Sequence, residues 1–155
     1  MKLRFVWVGK TRNGPIAALI GEYLERASRF IRVSVDEIRD AGGGDKAVAR
    51  VVEKEGEEIL ARVAADPFVV ALDERGVELS SAGMSDLLEN HRLRGTRQVT
   101  FVIGGFGGLS EGVRRRADMT LSLSRMTFTH EMARLVLAEQ IYRGLTIINR
   151  VPYQK

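Results

Sequence analysis

The sequence predicts an α/β fold built on a parallel sheet. Short apolar stretches suited to strands alternate with segments whose apolar residues recur at helical spacing. One stretch, 68–72 (Phe-Val-Val-Ala-Leu), is apolar throughout, as a central strand is when both faces of its sheet are covered. No repeat, low-complexity tract or linker interrupts the 155 residues, so a single domain over 1–155 is expected.

The elements follow in order. Residues 3–8 form a short apolar strand ending at Gly9; Gly14-Pro15 then opens a helix with Ile16, Leu19, Ile20, Tyr23, Leu24 and Ala27 at helical spacing. A second, less buried strand covers 33–38. The loop Ala41-Gly42-Gly43-Gly44-Asp45 leads into a helix whose core face is marked by Val48, Val51, Val52, Ile59 and Val63, and which Asp66-Pro67 stops. After the strand 68–72, Asp73-Glu74-Arg75-Gly76 reads as a turn, and 80–91 as a helix capped by Ser80 or Ser81. Residues 99–103 form another buried strand that runs into Gly104-Gly105-Phe106-Gly107-Gly108. A short helix begins near Ser110, a strand covers 119–123, and 129–142 is a helix with Thr129 as N-cap. That last helix is apolar on most of its circumference, which in a small protein suggests a subunit interface.

Composition removes several classes of function. There is no cysteine, which excludes disulfides, thiolate metal sites and cysteine nucleophiles, and two histidines, His91 and His130, make a zinc enzyme improbable; no metal is expected. The longest apolar run is far short of the ~20 residues needed to span a bilayer, and the alternating, charged N-terminus does not resemble a secretory signal. A soluble, cytoplasmic protein without membrane partners is the expectation. The net charge of +4 and pI ≈ 9.8 permit binding to nucleic acid without proving it.

In open α/β sheets ligands bind beyond the carboxyl ends of strands, and three ends stand out: after Leu72, after Ile103 and after Leu123. Four glycines in the five residues 104–108 exceed the needs of a simple turn and point to a ligand loop, although the Gly-x-Gly-x-x-Gly and Gly-Lys-Ser/Thr phosphate motifs are both absent. Gly108-Leu109-Ser110-Glu111-Gly112 matches the form of a nucleophile elbow, followed by Asp118 and His130 in hydrolase order. An elbow serine should follow its strand directly, however, and a helix cap is the better reading of Ser110. The hydroxyl-rich stretch 122–131 reads as strand, loop and cap, with backbone available to line a pocket beside the glycine loop and with His130 next to it.

Phe101-Val102-Ile103-Gly104-Gly105 followed by Gly108-Leu109-Ser110 resembles the strand and loop of the H-type ribosomal large-subunit methyltransferases, a family of the SPOUT class. The likeness continues through Ser122-Leu123-Ser124, Thr127, His130, Arg134, the run from Leu137 to Arg143 and Pro152-Tyr153. Met1-Lys2-Leu3, Val8-Gly9-Lys10, Glu22-Tyr23-Leu24, Lys54-Glu55-Gly56 and Leu72-Asp73 extend it over the whole chain. The resemblance implies a parallel-sheet fold with a C-terminal trefoil knot, a homodimer, and methylation of N3 of a pseudouridine in 23S rRNA, with the assembled ribosome as expected substrate. It implies S-adenosylmethionine as cofactor, bound by Leu72, Gly105, Ser124, Arg125, Met126, Thr127, Phe128 and Thr129. Candidates for aligning the nucleophile or removing its proton are Arg134, His130, Tyr153 and Lys155, with Arg143, Arg125 and Tyr153 toward RNA. Arg114, Arg115 and Arg116 are further candidates for phosphate contact.

The chain departs from the family at three places. Phe106-Gly107 stands where Pro-Glu is usual in the glycine loop, Thr129 where a proline precedes the histidine, and Val151 and Gln154 replace two tail histidines. A non-catalytic ribosome- or RNA-binding homologue is therefore a second reading, and a serine hydrolase using Ser110 a third.

Overall fold

In the computed structural model, which describes residues 1–42 and 47–153, strands and helices alternate along the chain. They are β1 (Lys2–Val8), α1 (Gly14–Ser28), β2 (Arg32–Ile38), α2 (Val48–Val63), β3 (Val69–Glu78), α3 (Ser81–Leu93), β4 (Gln98–Ile103), α4 (Glu111–Arg116), β5 (Met119–Ser122) and α5 (His130–Ile148). The five strands form one sheet in the order β2-β1-β4-β3-β5, with every pairing parallel.

The hydrophobic pattern decides which face each helix covers. Along β1, Leu3, Phe5 and Trp7 point to one side and Val6 and Val8 to the other, because successive side chains on a strand alternate. The first set meets Ile20 and Ala27 of α1, Met84 and Leu88 of α3 and Leu137, Ile141 and Leu145 of α5. The second meets Ile59 and Val63 of α2 and Val113 of α4. Central β4 is buried along its whole length, and its Phe101 stacks on Phe5 of β1 with ring centroids 5.7 Å apart. The N-caps fall where the sequence puts them. Ser80, Ser110 and Thr129 accept from the backbone N–H of Gly83, Val113 and Met132 at 3.0, 3.3 and 3.3 Å, satisfying donors that a helix start leaves free. His91 is a core histidine, its Nδ1 3.0 Å from Thr96 Oγ1 and its ring against Phe68.

Three expectations change. Asp73-Glu74-Arg75-Gly76 is not a turn: β3 continues to Glu78, with its register on β5 shifting between Leu72 and Val77. Asp73 Oδ1 accepts from the Arg75 N–H at 3.0 Å and bends the strand, and a Cβ on Gly76 would lie 2.6 Å from the backbone of Thr120 and Leu121. Gly76 thus serves strand-to-strand approach, a use of glycine that resembles turn chemistry in a sequence. The buried face of α2 is Glu55, Gly56, Ile59 and Val63, while Val48 is exposed. Finally, α5 runs two turns beyond the expected end at 142, to Ile148, because its later residues Gly144 and Leu145 pack into the α3 face.

The bend in β3 gives a stability prediction. Gly76→Ala should destabilise the fold by ~1–3 kcal/mol, the usual cost of overpacking, measured as a lower urea midpoint; an unchanged midpoint would mean that β3 and β5 separate freely there.

Candidate functional site

A cavity of about 700 Å³ opens beyond the carboxyl ends of β4 and β5 and beside the bend in β3. That size lies within the ~300–1,000 Å³ typical of small-molecule sites. Three segments wall it: 72–75 from β3, the glycine loop from Ile103 to Leu109, and the loop that joins β5 to α5. All three of the strand ends singled out from the sequence therefore meet at one place.

Local chemistry shapes each wall. The glycine loop folds back on itself, the Gly108 N–H donating to the Gly105 carbonyl at 3.0 Å, with Gly108 at a φ of +81° that side chains rarely adopt. A Cβ on Gly104 would collide with the Gly108 carbonyl, so sterics alone require glycine at these positions. Phe106 at the tip is 89% exposed. The β5–α5 loop is held by its hydroxyls: Ser122 Oγ donates to the Ser124 carbonyl at 2.9 Å, and Ser124 Oγ accepts from the Met126 N–H at 3.0 Å. Thr127 Oγ1 donates to Glu74 Oε2 at 3.3 Å, which links this loop to β3.

Two titratable groups in the wall are shifted by their surroundings. Burial would raise the Asp73 carboxyl, but hydrogen bonds from the Arg75 N–H and guanidinium, with Arg114 at 3.1 Å, outweigh it and hold Asp73 below the usual carboxylate range. His130, in the first turn of α5, is shifted down by burial and then by the Arg134 charge, against the opposing pull of Glu131 and Asp40, so its imidazole is neutral at pH 7. The cavity thus offers apolar surface from Leu72, Ile103, Leu121 and Leu123, carboxylates from Asp73 and Glu74, several hydroxyls and a neutral imidazole. Arg75 and Arg114 line it too, both paired with Asp73, so the set suits a ligand that is part aromatic or aliphatic and part polar, with Glu74 open to a cationic group. Among the described residues, no group of three or more histidines or carboxylates could hold a metal ion, and no helix is long and apolar enough to cross a membrane.

The profile of a family described as "Predicted SPOUT methyltransferase" matches residues 1–154. The chain belongs to the SPOUT methyltransferase family. Within that family it is 44% identical over 153 residues to the ribosomal RNA large subunit methyltransferase H of Geotalea daltonii, the alignment covering 99% of each chain. It is 43% identical to the protein of the same name from Trichlorobacter lovleyi, again with 99% of each covered, and 42% identical to that of Carboxydothermus hydrogenoformans, with 100% of each covered. Membership of this H-type subgroup follows. Solved structures share the SPOUT fold: a probable methylase family protein from Haemophilus influenzae (TM-score 0.59, 11% identity, 99% of this chain and 70% of that one), and a probable methyltransferase from Bordetella pertussis (TM-score 0.57, 13% identity, 93% and 96%).

The SPOUT cavity gathers most of the residues expected to bind the cofactor. Leu72, Gly105, Ser124, Met126, Thr127, Phe128 and Thr129 all line it, as does His130; Arg125 is exposed outside the lining. Arg134 lies beneath it, wholly buried, donating to the Val8 carbonyl and to Thr11 Oγ1. Tyr153 and Arg143 belong to another cluster. Tyr153 Oη donates to Glu139 at 3.2 Å and its ring carries the Arg143 guanidinium at 4.9 Å, while Arg143 also pairs with Glu139 at 2.6 Å. Burial, then Tyr23 and Glu139, raises the Tyr153 phenol well above its ordinary value, so it is no base. Along α5 this cluster stands ~20 Å from His130, at 1.5 Å per residue. Lys155 lies outside the described residues. Ser110 is buried as the α4 cap, its Oγ accepting from Val113, which leaves no elbow nucleophile.

The sequence reading left Asp73, Glu74 and Arg75 as a turn and weighed Arg114 only for phosphate. The available signal was a polar tetrad directly after an apolar strand.

His130 should titrate below the ordinary 6.5 in a proton NMR experiment. Because protonation then favours the unfolded chain, its stabilising contribution is complete above the ordinary value and is lost as pH falls through it. A midpoint at or above 6.5 would show that the imidazole is solvated or paired.

Proposed function

We infer that this protein transfers a methyl group from S-adenosylmethionine to N3 of a pseudouridine in large-subunit ribosomal RNA. The observation that carries this reading is the cavity. It is walled by the segments on which the family resemblance places the cofactor, in a chain more than 40% identical along its whole length to proteins named for that activity.

The lining fits the cofactor. Leu72, Ile103 and Leu121 provide an apolar slot for a purine, Gly105 and the backbone of 124–129 provide hydrogen-bonding groups beside it, and Glu74 is open to a cationic group. Bound there, S-adenosylmethionine supplies an activated methyl on a positively charged sulfur. The chain must bring N3 into line with it and receive the N3 proton, and the neutral imidazole of His130 at the cavity wall has a free lone pair for that proton. Arg134 donates its hydrogen bonds to protein groups and acts from below, by holding α5 in place.

The distance between His130 and the Tyr153–Arg143 cluster leads to the dimer. Within one chain that cluster cannot touch the methyl group, so we place Tyr153 and Arg143 at the cavity of a second copy, with α1 and α5 forming the contact. There Arg143 and the exposed Arg125 would meet RNA phosphates and Tyr153 would stack on a base. A homodimer with knotted cofactor loops, working in the cytoplasm on assembled ribosomal particles, completes the reading. The second reading, an RNA-binding protein without turnover, rests on Val151 and Gln154 in the tail.

Calorimetric titration should show S-adenosylmethionine binding that Thr127→Arg weakens roughly tenfold or more, since each ~1.4 kcal/mol of lost binding is tenfold. Thr127 is exposed, so the melting curve should not move. Equal affinity in the variant would place the cofactor elsewhere. With large ribosomal subunits lacking the modification, tritium from labelled cofactor should enter 23S rRNA, and protein-free rRNA should be a poor substrate. Cofactor binding without transfer would select the non-catalytic reading.

A further inference from the structure

The glycine loop rests on one helix. A Cβ on Gly107 would come within 2.5 and 2.9 Å of Val52 and Val48, Ser110 packs into the space left by Gly56, and a Cβ on Gly105 would lie 2.9 Å from Glu55 Oε2 and 3.2 Å from Val8. The bed that α2 provides for this loop is thus apolar or side-chain-free except at Glu55. That residue is only 2% exposed. Its Oε1 accepts from the Ala41 N–H at 3.2 Å, while its Oε2, directly behind Gly105, accepts no hydrogen bond from an N–H or O–H group among the described residues. Leaving a buried carboxylate oxygen unpaired is costly, and a leucine or methionine of similar size would avoid that cost.

We propose that Glu55 is a positioning residue for the cofactor: its buried carboxyl seats Gly105 on α2 and so sets how tightly the glycine loop closes on the cavity. This rests on the reading of the cavity as the S-adenosylmethionine site. The groups around Glu55 favour the neutral form. Burial acts first, raising the carboxyl above its ordinary range; the Ala41 N–H opposes this, and the nearby Asp40 carboxylate adds to the rise. Asp40 is itself held by the Gly42 N–H at 2.7 Å. From β1 and the loop the facing groups are Val8 and Gly105, which carry no charge. When Glu55 ionises, its oxygen requires water or a donor, and the thinnest cover over it is the backbone of Gly105. Cofactor affinity should therefore fall as pH rises through the Glu55 range.

The test is calorimetric affinity for S-adenosylmethionine from mildly acidic to mildly alkaline buffer, for the full chain and three variants. Glu55→Gln, which keeps the shape and cannot ionise, should bind like the unaltered protein at low pH, bind more tightly than it at high pH, and lose most of the pH dependence. Glu55→Ala should weaken binding roughly tenfold across the range. Val52→Ala loosens the same bed without touching the carboxyl, so it should weaken binding while leaving the shape of the profile intact. Melting curves identify any variant that fails to fold. A Glu55→Gln profile matching that of the unaltered protein would overturn the proposal and assign the titration to His130 or the ligand amine. Full affinity in Glu55→Ala, or no rescue by glutamine, would overturn it equally. Absence of binding by the unaltered protein would instead remove the cofactor reading itself.

Discussion

A guanidinium without solvent contact, and without an ion-pair partner among the described residues, ties the start of α5 to the end of β1. Arg134 is fully buried, donates to the Val8 carbonyl at the end of β1 and to Thr11, and lies over the Trp7 ring at 5.2 Å. Burying such a charge costs several kcal/mol, and cation–π contact with Trp7 and two hydrogen bonds offset part of it. Three residues earlier in α5, Glu131 accepts from the Arg12 and Asn13 N–H groups at 2.6 and 3.2 Å. The start of α5 is thereby fixed to the end of β1 on two sides, and the cavity wall that contains Thr129 and His130 inherits that placement. Arg134, one helical turn from His130, looked catalytic in sequence because spacing alone does not reveal burial.

The fold was legible because its strands satisfy two conditions at once, short length and apolar continuity, that few other structures require. β4 and the first half of β3 could be read directly, and so could three caps, since Ser80 and Thr129 each precede an apolar-periodic run and Ser110 stands just before a short charged helix. What could not be read was the second half of β3. Asp73 through Gly76 have the composition of a turn, and only the backbone of β5 passing against Gly76 makes them a strand. The cofactor loops were found for a mixed reason. Strand ends point to a site by geometry, but the four glycines that drew notice are explained by packing within the loop and on α2. Glu55 was visible as a carboxyl between apolar neighbours on a helix, a signal passed over because nothing local says which way a helix turns its faces.

Charge is distributed against the protein's overall sign. The chain carries a net +4, yet the carboxylates of Asp73 and Glu74 line the cavity, and the arginines there are engaged: Arg114 with Asp73 and the Leu109 carbonyl, Arg75 with Asp73. Positive charge open to a polyanion lies at the periphery, at exposed residues such as Arg125. Such a division lets one small surface attract nucleic acid while its interior accepts a cation.

The strand order has a consequence for how the chain folds. β1 pairs on one side with β4, Leu3 opposite Val99, and the helix that locks its end is α5, both far along the chain. The only partner it finds early is β2, an edge strand with little buried surface. Contacts separated by most of the sequence carry a large loop-closure cost before they return any stability. Leu3, Phe5 and Trp7 are therefore covered in two stages, locally by Ile20 and Ala27 of α1 and completely only when the distant α3 and α5 pack on the same face.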